Sequence, residues 1–136
     1  GGEQRRVVGA GMVGAGVVDM GGQRWGFVGG GLVSPMRTPY EIAPEQFAAA
    51  VESLGPVDVL FSHIPPALPE LTYDVVARRF ERGSHALLRY VQEVQPRFHL
   101  FGHVHQPLAA RRRIGRTECM NVGHFHARRA PFVLDL

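Results

Sequence analysis

Residues 98–106 read FHLFGHVHQ, and the reading of this stretch decides the rest of the chain. Phe98, Leu100 and Phe101 form an apolar run that stops at Gly102, and His103-x-His105 follows at once. This is the pattern of a core strand that ends on a ligand-bearing loop. In extended backbone, residues two apart face the same side with Cα atoms roughly 6.5–7 Å apart. Both imidazoles can then face one cavity, holding a single ion together or one each of two ions about 3.5–4 Å apart. Gly102 is expected to let the backbone turn sharply or pass close to the ions.

Working upstream, residues 57–62, VDVLFS, read as a second buried strand, ending on His63-Ile64-Pro65-Pro66. The two prolines cannot continue a hydrogen-bonded ladder, so His63 falls at the strand's carboxyl end. Sites in open α/β sheets assemble at that end. A helix is expected before this strand: Pro44 opens it, Phe47, Ala48, Val51 and Leu54 share one face, and Gly55-Pro56 stops it. A second helix is capped by Ser84, carries Leu87, Leu88, Val91 and Val94 as its apolar stripe, and ends before Pro96. Between them, residues 66–82 show no regular pattern and read as a surface connection or a flap over a cleft.

Nearer the amino terminus, VVDM and QRWGFV flank Gly21-Gly22, a hairpin signal because tight two-residue turns need positive φ. Residues 1–16 are rich in glycine and read as a poorly structured lead-in. After the histidine pair, short strands are expected around Arg113 and Ile114, over residues 117–122 and over 132–136. The order β-β-α-β-α-β-β-β predicts a mixed α/β fold, with mixed β-sheet layers flanked by helices, as a single domain spanning residues 1–136.

Composition sets the outer bounds. With 136 residues, 45% hydrophobic and 20% charged, the chain has the make-up of one globular domain with a real core. No apolar run approaches the ~20 residues needed to span a bilayer, so no membrane partner is expected. The lone Cys119 cannot form an internal disulfide, which favours a reducing, cytoplasmic setting. The net charge is +3 and every basic residue is arginine, which excludes lysine-base and Schiff-base chemistry. Arginines bunch at 111–113 with Arg116, and again at Arg128-Arg129. These form either a solvated face or a phosphate or nucleic-acid contact, since guanidinium matches phosphate oxygens.

Of seven histidines, His63, His103 and His105 are the metal candidates. His99 alternates out of phase with Phe98 and Leu100 and reads as an ordinary strand residue; His85, in the first turn of the second helix, receives no role. His124 and His126 repeat the H-x-H spacing after Asn121-Val122-Gly123, as a polar loop or as further ligands or substrate contacts. Other H-x-H chemistries fit less well. Gln106-Pro107 interrupt an H-x-H-x-D-H motif, residues 108–113 lack the glutamate of a cupin, and zinc-finger spacing needs paired cysteines.

Taken together, these motifs resemble the calcineurin-like metallophosphoesterases. LFGHVH at 100–105 matches that family's G-H-x-H signature, and DVLFSHIPP at 58–66 is similar to the strand-then-histidine motif preceding it. The spacing helix and the strand ending in Asn121-Val122-Gly123 are similar too, so the resemblance covers residues 17–136. It implies a two-metal site at the top of a β-sandwich, with His63 and His103 on one ion and His105 on the other. The implied cofactors are divalent manganese, zinc or iron, which neutral imidazole suits. The implied substrate is a phosphomonoester or phosphodiester, with His124, Asn121 and Arg128 as weaker candidates for contacting it.

The family's D-x-H, G-D-x-x-D and G-N-H-[DE] motifs do not occur, and Asp19, Asp58, Asp74 and Asp135 lack their surroundings. The chain is therefore expected to be the carboxyl-terminal half of such a domain, contributing part of a metal shell and nearly inactive without the missing amino-terminal half. Two other readings stay open: a mononuclear three-histidine zinc hydrolase, and a non-catalytic basic binding module.

Overall fold

The computed structural model describes residues 13–30 and 44–124. Strands β1 (Val13–Met20) and β2 (Gln23–Gly30) form the expected antiparallel hairpin, with Met20 opposite Gln23. Gly21 and Gly22 turn the corner at φ 59° and 79°, values that a side chain would strain. Strand β1 starts at Val13, inside the stretch read as lead-in. Every one of its residues pairs with β2, and that ladder orders a glycine-rich segment with little strand propensity of its own.

Helix α1 (Pro44–Glu52) leads into β3 (Val59–Ser62), and helix α3 (His85–Val94) leads into β6 (Phe98–Phe101). Ser84 caps α3 by accepting the Leu87 N–H at 3.0 Å. Gln95 ends the helix in the left-handed region. Its side chain then accepts the Arg116 N–H at 2.7 Å, tying the helix end to the turn between β7 (Arg111–Ile114) and β8 (Thr117–Asn121). A 3-10 turn, Val122–His124, follows.

The six long strands lie in the order β1-β2-β3-β6-β8-β7, parallel in the middle and antiparallel at both edges. The mixed α/β class is thus observed. Alternation along β3 and β6 sends Leu60 and Phe101 to one face, and Val59, Phe98 and Leu100 to the other. On the first face, Val51 of α1 and Leu87 and Val91 of α3 are buried against the sheet. Each such side chain contributes roughly 1.5–3 kcal/mol by leaving water. The second face carries Trp25, Phe61 and Phe27 in a stack, with ring centroids 5.8 and 5.3 Å apart. Among the described residues no second large sheet packs there, so the sandwich expectation is met by one sheet only.

The segment read as irregular has structure. Helix α2 (Pro69–Thr72) runs into a small hairpin of β4 (Tyr73–Asp74) and β5 (Arg79–Phe80). It escaped the sequence reading because elements of two to four residues are too short to show a hydrophobic period. The strand expected at 132–136 lies outside the described residues. No helix among the described residues is long and apolar enough to cross a membrane.

Candidate functional site

β3 and β6 are parallel neighbours, so their carboxyl ends open at the same edge of the sheet. Beyond Ser62 the chain leaves the ladder. The Ser62 hydroxyl donates to the Ile64 carbonyl at 2.7 Å, bending the backbone around His63 ahead of buried Pro65 and Pro66. Beyond Phe101, the Gly102 N–H donates to the His63 carbonyl at 3.0 Å, holding the two loops together. The Val104 N–H then donates back to the Gly102 carbonyl at 2.9 Å, closing a three-residue turn centred on His103.

The sharp bend falls on His103, at φ 71°, and not on Gly102 as the sequence led us to expect. A Cβ added at Gly102 would meet nothing closer than the His63 carbonyl at 3.9 Å. The strained conformation therefore belongs to a histidine, and such strain persists only where its surroundings hold it. Here they do: Val104 is buried, and its carbonyl accepts the Asn121 side-chain amide at 2.7 Å.

This arrangement brings the His63 and His103 rings edge to face, with centroids 5.2 Å apart at 64°. Desolvation lowers both pKa values from the ordinary histidine range, and for His103 the charges of His63, His105 and Arg82 lower it further. Glu81, whose Oε1 lies 3.9 Å from His103 Nε2, opposes that shift. Near neutral pH both rings are thus held as neutral imidazoles, each with a free lone pair. Glu81 follows the β4–β5 hairpin, in the segment without a readable pattern, and nothing in its sequence context distinguished it.

His105 is exposed on the same loop. Buried Asp74 holds that loop: one carboxylate oxygen accepts the Val76 and Ala77 N–H groups at 2.9 Å each, the other the Gln106 N–H at 3.3 Å. Its carboxyl is kept below the ordinary range, first by the Ala77 bond, and His105 adds a small charge effect of the same sign.

Two of the three imidazoles therefore meet. Among the described residues no group of three or more His, Cys, Asp or Glu side chains is arranged to hold a metal ion. The pair fits a metal as two neutral nitrogen donors; the described residues do not complete a shell, and a site of His63, His103 and His105 together is not assembled among them.

The weaker candidates fare differently. Asn121 is buried behind the loop, spending its amide on Val104. His124 closes the 3-10 turn, but its side chain lies outside the described residues, as do His126 and Arg128. Each arginine of the run has a carboxylate partner, although three guanidinium groups share two carboxylates. Arg111 and Arg113 both pair with Glu118, at 3.1 and 2.6 Å, and Arg112 pairs with Glu70.

His99 is the buried residue that the sequence undervalued. It is fully enclosed, and its Nε2 lies 2.8 Å from the Ser62 hydroxyl, directly beneath the turn that presents His63. Comparison of the chain with protein-family models, with curated proteins and with solved structures finds no match.

Proposed function

We propose that this chain belongs to a metal-dependent phosphoesterase and contributes His63 and His103 as neutral nitrogen donors to its metal shell, with His105 two residues beyond His103 on the same loop. The observation that carries the reading is the edge-to-face approach of the two rings, 5.2 Å between centroids, at the carboxyl ends of adjacent parallel strands. Further donors come from outside the described residues. When bound, a divalent ion supplies Lewis-acid chemistry suited to activating water against a phosphate ester. The chain's own part is to keep both lone pairs available, to fix the His103 turn through Val104 and Asn121, and to set the Glu81 carboxylate beside His103 Nε2.

The nucleic-acid reading draws less support, because the arginines at 111–113 are spent on Glu70 and Glu118. The decisive experiment measures the divalent metal that the chain binds and its hydrolysis of an aryl phosphodiester. His63→Ala and His103→Ala should each lower metal affinity and activity by on the order of 100-fold or more, at or beyond the upper end of what loss of an outer-shell partner costs. Unchanged metal binding in both variants would sink the proposal.

A further inference from the structure

His63 has a second neighbourhood. A cavity of about 430 Å³ lies between α1 and α3, and His63 forms part of its wall. That volume is within the range that takes small organic ligands. Its middle is apolar, built from Phe47 and Val51 of α1, Ile64 beyond β3, and the ring of Tyr90. The Tyr90 hydroxyl is turned away to donate to the Gly55 carbonyl, so the ring rather than a polar group faces the space.

The two ends differ in charge. Ser84 is bridged to Pro66, three residues past His63, so α3 starts at the histidine end of the cavity. Arg82 and His85 line that end, and Arg89 lies one helical turn further along. Neither Arg82 nor Arg89 makes an ion pair among the described residues, unlike the arginines at 111–113. Arg82 lines the same cavity as His63, whose ring packs against His103, so this cationic end is continuous with the histidine pair. Glu52 and Glu93, in the last turns of their helices, line the opposite end.

A phosphate ester seated at the histidine pair would meet guanidinium groups that have no ion pair among the described residues at its anionic head, and an apolar chamber behind. From this we infer that the cavity between α1 and α3 is a leaving-group pocket, selecting phosphoesters of aromatic or similarly bulky apolar alcohols over those of small polar ones. The inference rests on the phosphoesterase reading for the word substrate, but the pocket itself is testable by binding alone.

The probes are 1-naphthylphosphonate and methylphosphonate, which share the anionic head and cannot be hydrolysed as esters. Affinities are measured by NMR titration of the chain. Wild type should bind the naphthyl probe at least about tenfold more tightly than the methyl probe. Ala86→Phe, from the α3 wall, and Ala48→Leu, from α1, should each bring the two affinities to within about twofold by filling the chamber, with the methyl probe unaffected. Circular dichroism and thermal melting establish that each variant folds, and the two walls give independent tests.

Equal affinities in wild type, no measurable binding of either probe, or a preference that survives both filling variants would overturn the pocket. A naphthyl preference that the filling variants abolish, with divalent-metal binding unchanged in both His63→Ala and His103→Ala, would leave the pocket standing and sink the phosphoesterase reading instead.

Discussion

Ser62 Oγ and His99 Nε2 lie 2.8 Å apart, joining two neighbouring strands just below the candidate site. Ser62 already donates its one proton to Ile64, so His99 must donate here and carry its proton on Nε2. That leaves Nδ1 as a buried acceptor with no partner among the described residues. Protonating this ring would put a charge in a fully enclosed site, and burial pushes its pKa down to about 3.

Stability should depend on acid accordingly. The folded pKa of His99 lies below the unfolded value near 6.5, so the unfolded chain binds the extra proton first. Its contribution is constant above pH 6.5 and is lost progressively as pH falls from there toward about 3. By pH 5 the loss amounts to about 2 kcal/mol. Urea denaturation from pH 7.5 to 5 should show this slope, and His99→Phe should flatten it. An unchanged slope in the variant would assign the acid sensitivity to other groups.

Asn121 is expected to act through the loop it holds. Its amide is bonded to the carbonyl of buried Val104, next to the strained residue. Asn121→Ala leaves that carbonyl enclosed without its donor, at a cost of about 1–3 kcal/mol. Divalent-metal affinity should fall with it, because the turn that presents His103 is no longer braced. A variant that loses stability but keeps full metal affinity would show that the amide supports the core only.

What the sequence made legible were features that single residues decide. Pro44, Ser84 and Gly21-Gly22 placed both long helices and the first hairpin, because capping and turn chemistry act locally. His63 and the His103-x-His105 pair were legible because strand ends are marked by proline and glycine. Less visible were features fixed by contacts far apart in the chain. Asp74 grips the His105 loop from 32 residues away, and Glu81 reaches His103 from a hairpin with no periodic signature. The bend on His103 was hidden for a related reason: the neighbouring glycine looked like the residue to bend, while the Asn121 clamp settled the matter from another strand.

Gly83 offers a purely steric check of the fold. A Cβ there would lie 2.7 Å from Thr72 Cγ2 and 3.0 Å from the Ala67 Cα, and the latter is backbone that cannot simply rotate away. Gly83→Ala should destabilise by about 1–3 kcal/mol, the usual range for overpacking. Thermal melting of the variant at or above the wild-type temperature would contradict the packing of α2 against the lead into α3.

The carboxylate of Glu81 should be visible in the titration of its neighbour. Its negative charge favours the protonated form of His103, against desolvation and the charges of His63, His105 and Arg82. Glu81→Gln removes that support while keeping the shape. The His103 midpoint, followed through its imidazole carbon-bound proton by NMR, should therefore move further down. A midpoint that stays in place or rises would mean that the carboxylate does not face the ring in solution.

The positive φ of His103 predicts a conflict between stability and function. At φ 71°, a residue with a Cβ pays a backbone penalty that glycine escapes. The difference is roughly 1–2 kcal/mol per residue. His103→Gly and His103→Ala both delete the imidazole, so both should lose metal binding to the same extent. They should differ in folding, the glycine variant being more stable than the alanine variant by about 1 kcal/mol, the size expected when Ala occupies a left-handed position. Equal stabilities, or a more stable alanine variant, would place His103 in an ordinary conformation in solution. With the predicted order observed, the histidine is held in place against its own backbone preference, as expected of a residue retained for its ring.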